Sequence, residues 1–132
     1  MTLRWYSVVI DSHDIAALAR WWATTLDWKI SYEADDEVVI VPPRALDADR
    51  DIPVDDQGPG LVFVTVPEGK TVKNRLHLDL APRAGDDQDA AVTALVERGA
   101  SRVDVGQDNE KVNWVVLADP EGNEFCVLSP RD

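Results

Sequence analysis

The chain has 132 residues, 45% of them hydrophobic, a size that supports a single domain with a buried core. Its net charge of −12 repels a phosphate backbone and an anionic membrane surface, so we expect neither nucleic-acid nor membrane binding. The single cysteine, Cys126, excludes an intrachain disulfide, and no apolar run approaches the ~20 residues of a membrane span, which together predict a cytoplasmic protein.

The first half of the sequence predicts one helix and four strands. Asp14 has the side chain of a helix N-cap, and the apolar stripe that follows, which includes Trp21 and Trp22, predicts a helix ending near Asp27. Period-two alternation and short β-branched runs predict the strands. These strands are residues 3–11, 28–33, 37–41 and 61–66, with the second and third forming a hairpin.

Residues 42–60 interrupt both the helical and the strand periods with prolines, glycines and five aspartates. A loop of this length is uncommon in a compact domain. The sequence leaves open whether it is a lid over a site or simply a mobile segment.

The second half begins with the stretch around which the chain is organised, a predicted strand over residues 75–81. Its leucines alternate with polar residues, so one face is expected in a core while His77 and Asp79 point together from the other face. An acidic helix start at residues 86–89 and a stop at Gly99 bound the second helix. Three more strands are predicted at residues 101–105, 112–118 and 124–128.

Each half is therefore a strand, a helix and three strands. This order predicts an α+β fold of two tandem βαβββ modules, about residues 1–67 and 72–130, within a single domain covering residues 1–132. The two modules are expected to form curved sheets around a cavity, with the helices on the outside.

The motifs of the second module resemble a known superfamily. Lys-Asn-Arg-Leu-His-Leu-Asp-Leu opens that module, and Leu-Ala-Asp-Pro-Glu-Gly-Asn-Glu-Phe-Cys-Val-Leu closes it. This duplicated arrangement resembles the glyoxalase-like branch of the vicinal-oxygen-chelate superfamily, which also contains glyoxalase I, extradiol dioxygenases, and bleomycin and fosfomycin resistance proteins. The resemblance covers essentially the whole chain, and it implies the fold more firmly than the activity, because one fold hosts many functions.

The resemblance also implies where a metal would bind. Metal-using members hold the ion on the first and last strands of each module, which here carry Ser7, Val64, His77 and Cys126. Val64 has no donor atom and only His77 is a usual ligand type, so we expect no metal cofactor. One alternative stays open, a zinc site formed by His77, Asp79, Glu124 and Cys126.

We therefore expect a metal-free protein, forming a homodimer, that binds a small organic ligand in the cavity between the sheets, with His77 as a polar anchor. The expected ligand-binding residues are Trp5, Ser7, Val64, His77, Asp79, Glu124 and Cys126. The acidic surface suits a cationic ligand.

Two alternatives remain beside this interpretation. In the first, the protein is an enzyme of the lyase or isomerase type acting on a small carbonyl compound. His77 and Glu124 would then be its catalytic acid and base, with or without a divalent metal. In the second, it is a regulatory or assembly module with an empty cavity, and the sequence does not decide between enzyme and binding protein.

Overall fold

Two units with the same strand order make up the chain. A computed structural model describes residues 3–46, 52–106 and 111–132, and the chain divides into the units Met1–Gly69 and Lys70–Asp132. Each unit contains one four-stranded mixed sheet in which the first strand lies parallel to the last. The predicted α+β class and the two βαβββ modules are confirmed.

The described part of unit 1 contains four strands and three helical segments. Its sheet has the order β1-β4-β3-β2, in which β1 and β4 are parallel and the other pairs antiparallel. The main elements are β1 (Ser7–Ser12), α1 (Ile15–Leu26), β2 (Lys29–Glu33), β3 (Glu37–Val41) and β4 (Gly60–Thr65). A 3-10 helix (Pro43–Leu46) and the short α2 (Val54–Gln57) lie between β3 and β4.

Helix α1 begins and ends where its capping residues predict. The Asp14 side chain accepts a hydrogen bond from the Ala17 backbone N–H at 3.1 Å, which satisfies one of the free donors of the first turn. At the other end Asp27 adopts a left-handed conformation with φ of 55°, which turns the chain out of the helix. Trp21 and Trp22 are buried, as their place in the apolar stripe predicts.

The core of unit 1 lies on one face of its sheet. In the register between β3 and β4, Val38 pairs with Phe63 and Ile40 with Leu61, and all four side chains are buried. Helix α1 packs against these strands and β2. Because side chains alternate along a strand, Val62 and its neighbours two residues away point to the other face.

Unit 2 repeats this order with shorter strands. Its sheet has the order β5-β8-β7-β6, with β5 parallel to β8 and the other pairs antiparallel. The elements are β5 (Leu78–Leu80), α3 (Gln88–Glu97), β6 (Ser101–Arg102), β7 (Val115–Ala118) and β8 (Glu124–Val127).

Helix α3 is capped by Asp87, whose side chain accepts hydrogen bonds from two backbone N–H groups of the first turn. The amide of Gln88 donates to the Val127 carbonyl at 3.1 Å and so ties the start of the helix to β8. Only Val92 and Leu95 of this helix are buried. Among the described residues, no helix is long and apolar enough to cross a membrane.

The first strand of each unit is shorter than predicted. The strand expected over residues 3–11 begins at Ser7, and that expected over residues 75–81 covers only Leu78–Leu80. Leu76 was expected on the buried face together with the two leucines that follow it, but it is 88% exposed. The alternation of leucines with polar residues therefore extends further along the sequence than the strand itself. The residues before β5 form hydrogen bonds with Glu124 instead of pairing with a neighbouring strand.

Other predicted bounds also change. The strands expected at residues 101–105 and 112–118 cover only Ser101–Arg102 and Val115–Ala118. The predicted irregular loop 42–60 contains the 3-10 helix and α2, and its residues 47–51 lie outside the described residues.

Candidate functional site

A cavity of about 300 Å³ lies within unit 2. Its walls come from β5, β7, β8 and the segments that precede β5 and β7. The apolar lining residues are Val105, Trp114, Val116, Phe125, Cys126 and Leu128, and the polar ones are Lys73, Asn74, His77, Asp79 and Glu124. The cavity is therefore a mostly apolar depression with several polar groups, which is the usual composition of a small-molecule site.

Strand alternation explains which residues reach this cavity. Glu124, Cys126 and Leu128 are two residues apart and share one face of β8, while Phe125 and Val127 point mainly to the other face. The same parity on β7 brings Val116 and the preceding Trp114 to the cavity. Parallel pairing of β5 with β8 then places Asp79 directly beside Cys126.

Three potential metal-ligating or acid–base groups meet on this face. One ligand atom from each of His77, Asp79 and Cys126 lies within 4.8 Å of the other two. His77 Nε2 is 3.2 Å from Asp79 Oδ1, a contact that becomes an ion pair when the imidazole is protonated. His77 and Asp79 are about half exposed, with side-chain exposures of 47% and 51%, whereas Cys126 is buried.

The surroundings of Cys126 keep its thiol protonated. Burial raises the pKa of the thiol, and the negative charge of Asp79, which accepts a hydrogen bond from it, raises the pKa further. Lys73 acts in the opposite direction but does not outweigh these effects. At neutral pH and without a metal, Cys126 is therefore a weak nucleophile, because the thiolate is the reactive form.

Glu124 belongs to a different set of contacts. Its carboxylate accepts a hydrogen bond from Lys70 Nζ at 2.7 Å and another from the Asn74 backbone N–H at 3.0 Å. The Asn74 side chain bonds to the backbone of Glu124 in both directions, donating to its carbonyl and accepting from its N–H. We call these hydrogen bonds between Asn74 and Glu124 the clip. The clip holds the segment before β5 in place of strand-to-strand hydrogen bonds, and Leu76 therefore lies outside the strand.

The clip also fixes the charge of Glu124. Burial opposes ionisation, but the hydrogen bonds from Lys70 and from the Asn74 backbone outweigh it and lower the pKa of the carboxyl below its usual range. Glu124 is thus a carboxylate already occupied by two donors. Of the four residues in the predicted zinc alternative, the other three come together, whereas Glu124 is bound by its own partners.

The remaining predicted site residues lie in unit 1. Trp5 is 68% exposed, and its indole Nε1 donates to the Ser7 carbonyl at 3.1 Å. Ser7 opens β1, where it pairs with Gly60, and Val64 on β4 pairs with Asp11 of β1 and Glu37 of β3. By alternation, Ser7 and Val64 point to the face of their sheet opposite the core.

The architecture and the sequence point to one family. The family model of the glyoxalase-like domain matches residues 7–128, which is nearly the whole chain. The chain belongs to the glyoxalase-like domain family. Among curated proteins, none matches the sequence significantly.

Solved structures share the fold of this glyoxalase-like domain at low sequence identity. A glyoxalase/bleomycin resistance protein/dioxygenase family enzyme from Burkholderia phytofirmans PsJN is 16% identical, with a TM-score of 0.66 over 96% of this chain and 98% of its own. A glyoxalase/bleomycin resistance protein from Albidiferax ferrireducens T118 is also 16% identical, with a TM-score of 0.57 over 94% of this chain and 96% of its own.

A third structure of this fold contains a metal. It is a mutant of the fosfomycin resistance protein FosX from Listeria monocytogenes, complexed with Mn(II) and 1S,2S-dihydroxypropylphosphonic acid. It is 9% identical to this chain, with a TM-score of 0.67 over 98% of this chain and 94% of its own. These likenesses support membership of the vicinal-oxygen-chelate superfamily, as the motifs implied.

The four positions at which superfamily members hold a metal do not fit one in this glyoxalase-like domain. Val64 offers no donor atom, and Ser7 offers only a neutral hydroxyl. By ladder register, the residue that corresponds in unit 1 to Cys126 is Val62, which has no donor atom either. With either Val64 or Val62 at this position, the four superfamily positions lack the three good ligands that a divalent ion normally requires.

Sequence reasoning missed several residues that line the cavity. Trp114 and Val116 were detectable, because they share the parity of one strand face and Trp114 precedes β7 directly. No local sequence pattern identified the two partners of Glu124, which are Asn74 in the cavity lining and Lys70 outside it. Asn74 and Glu124 are 50 residues apart in the chain, and only the fold brings them together.

Proposed function

We propose that this glyoxalase-like domain binds a small organic ligand in the cavity of unit 2, through its own side chains and without requiring a metal. The observation that carries the proposal is the cavity itself, which is about 300 Å³ in volume, apolar in most of its lining, and polar around His77. This volume is at the lower end of ligand pockets in proteins. The ligand is therefore small.

The two kinds of wall would have different roles. Trp114, Val116 and Leu128 supply apolar area, and a ligand that covers them gains from the loss of water at their surfaces. His77 and Asp79 are exposed enough to contact a ligand and differ in charge, so they would orient its polar groups. With a net charge of −12, the chain favours a cationic or neutral ligand over an anionic one.

Binding is tested by thermal unfolding of the chelator-treated protein with a panel of small organic cations and neutral carbonyl compounds. A ligand at one hundred times its Kd stabilises the fold by about 2.7 kcal/mol. Trp114→Ala removes a cavity wall and should abolish the stabilisation, whereas Tyr32→Ala removes an exposed aromatic side chain of unit 1 and should not. No response across the panel, or equal loss in both variants, contradicts the proposal.

The second candidate function is an enzyme acting on a small carbonyl compound, and the His77–Asp79 contact favours it. His77 Nε2 lies 3.2 Å from Asp79 Oδ1, and a carboxylate at this distance orients the imidazole ring, which is a common arrangement for a general acid or base. Glu124 is less suited to this role, because Lys70 and Asn74 already occupy it and its pKa is lowered. The enzyme would thus depend on His77 more than on Glu124.

Turnover of a substrate found in the ligand screen separates the two candidates. If the protein is an enzyme, His77→Ala should lower kcat by the roughly 100- to 10,000-fold that acid–base catalysis contributes, with the fold intact. Turnover that is unchanged in this variant excludes His77 from catalysis.

A further inference from the structure

His77, Asp79 and Cys126 form a group of three different donors at the polar part of the cavity. They supply an imidazole nitrogen, a carboxylate oxygen and a sulfur, all within 4.8 Å of one another. Backbone geometry accounts for the grouping, since the first two are separated by two residues and the second is the ladder partner of Cys126. All three belong to unit 2.

We propose that these three side chains bind a soft divalent metal ion of the zinc type, as a site built within unit 2 alone. The proposal goes beyond ligand binding, which needs no metal. It also differs from the metal positions of the superfamily, because Asp79 is not one of them and neither Ser7 nor Val64 takes part. The chain would thus keep two of the four inherited positions, His77 and Cys126, and add Asp79 as a third ligand.

The distances fit a tetrahedral ion after a small adjustment. Zinc bonds of about 2.0–2.3 Å place neighbouring ligand atoms about 3.3–3.8 Å apart. The His77 Nε2 to Asp79 Oδ1 distance of 3.2 Å is already close to this spacing. A separation at the 4.8 Å limit of the group would have to shorten by about 1 Å.

The side chains that must move are the ones with room to do so. His77 and Asp79 are about half exposed, so small changes of their side-chain torsions meet little resistance. Cys126 is 6% exposed and lies within β8, so its sulfur is fixed by the sheet. The sulfur would hold the ion in place while the two exposed side chains close on it.

The donor chemistry selects the ion. Thiolate and imidazole ligands suit zinc and similar ions, whereas magnesium, calcium and manganese prefer sets made of oxygen. Three protein ligands leave a fourth position of a tetrahedral ion open to water or to another ligand. Since all three residues line the cavity, a cavity ligand has access to this position.

Without an ion, the same atoms satisfy one another, because Asp79 accepts from the Cys126 thiol and contacts the His77 imidazole. The two states make different predictions for the sulfur. In the metal-free state it is a thiol that an alkylating reagent can reach only as the cavity permits. In the metal-bound state it is a coordinated thiolate, which is detectable directly.

The experiment titrates chelator-treated protein with zinc chloride and, separately, with cobalt(II) chloride. We expect one equivalent of either metal to bind, a sulfur-to-cobalt charge-transfer absorption to appear, and zinc to protect Cys126 from iodoacetamide. His77→Ala and Asp79→Ala should each weaken zinc binding by at least the roughly 100-fold upper range seen for loss of an outer-shell partner. Cys126→Ser should abolish the charge-transfer band.

The matched control is His13→Ala, which removes the other histidine of the chain from unit 1 and should leave zinc binding unchanged. Absence of stoichiometric zinc binding, or binding that survives His77→Ala and Asp79→Ala, overturns the proposal. Both variants alter exposed side chains, so the fold is expected to persist. Ligand binding by the chelator-treated protein is measured separately, so the metal site and the proposed function can fail independently.

Discussion

The two units have the same strand order but place different side chains at equivalent positions of their sheets. Aligning Ser7 with His77, the residue two positions later is Val9 in unit 1 and Asp79 in unit 2. Their ladder partners are Val62 and Cys126, respectively. The same parallel ladder thus carries two valines in one unit and a carboxylate beside a thiol in the other. Backbone topology sets where side chains meet, and the sequence decides which chemistry they bring.

The units also differ in how much they bury. Helix α1 buries six residues, among them Trp21 and Trp22, whereas α3 buries two. The strands of unit 2 are shorter, and its sheet borders the cavity described above. We infer that packing stabilises unit 1, whereas polar contacts have a larger share in unit 2.

The largest effect should come from a change in the packing of unit 1. Trp22 is 2% exposed, so Trp22→Ala leaves a large cavity and should lower the free energy of unfolding by about 3–5 kcal/mol. Chemical denaturation measures this change. Trp5→Ala is the control, since Trp5 is 68% exposed and its loss should cost within about 0.5 kcal/mol. If both variants lose a similar amount of unfolding free energy, the core of unit 1 does not lie between α1 and its sheet.

The second effect tests the polar contacts of unit 2. Glu124→Gln keeps the shape of the side chain but removes the charge that pairs with Lys70 and receives the Asn74 N–H. We expect a loss of about 1–3 kcal/mol at neutral pH, because a part-buried, charge-assisted contact is weakened. Glu97→Gln, at an exposed position of the same unit, should be nearly neutral.

The pH dependence of this effect has a defined sign. Glu124 has a lowered pKa in the folded protein, so its stabilising contribution is present above the unfolded value of about 4.3. The contribution is lost as the pH falls through the lower folded value. The difference in unfolding free energy between wild type and Glu124→Gln should therefore shrink in acid. A difference that stays constant down to that range would mean that the carboxylate charge is not what stabilises the clip.

The elements of the fold were predictable from the sequence because their signals are local. The N-cap Asp14, the apolar stripe with Trp22, and the alternation on β3 each act within a few residues, and the repetition of the order gave the two modules. The length of β5, the strand before α3, was overestimated because its prediction also relied on a local signal. Alternation continues through Leu76, but ladder hydrogen bonds do not, because Asn74 and Glu124 hold the segment instead.

The site was predictable in part. The spacing of His77 and Asp79 placed both on one face, and motif position brought Cys126 to the same region. The role of Glu124 was not predictable, because Lys70 and Asn74 reach it through the tertiary fold rather than through any local pattern. Local periodicity gives the direction of a side chain, whereas its partner depends on long-range pairing.

A smaller effect concerns the thiol of unit 2. Asp79→Asn removes a negative charge that raises the pKa of Cys126, so the pKa should fall and alkylation at pH 8 should become severalfold faster. The pH dependence of the iodoacetamide rate, with chelator present, measures the change. Because the chain has one cysteine, the readout has no background from other thiols. Asp86→Asn, an exposed change elsewhere in unit 2, should leave the pH profile of alkylation unchanged. An unaltered pH profile for Asp79→Asn would contradict the contact between Asp79 and Cys126.

The smallest effect should come from the ion pair of unit 1. Arg20 donates to both carboxylate oxygens of Glu33, at 2.8 and 2.9 Å, a geometry as good as that of Lys70 with Glu124. The difference is exposure, which is 52% and 38% for the side chains of the unit 1 pair but 23% and 10% for those of the unit 2 pair.

Water and salt screen exposed charges, so Glu33→Gln should destabilise the protein less than Glu124→Gln, and its effect should disappear in about 1 M salt. Urea denaturation of both variants at low and high salt makes the comparison directly. If the Glu33 variant loses as much as the Glu124 variant, and keeps that loss in salt, hydrogen-bond geometry rather than burial determines the strength of these contacts. The proposed division between a packed unit 1 and a polar unit 2 would then fail.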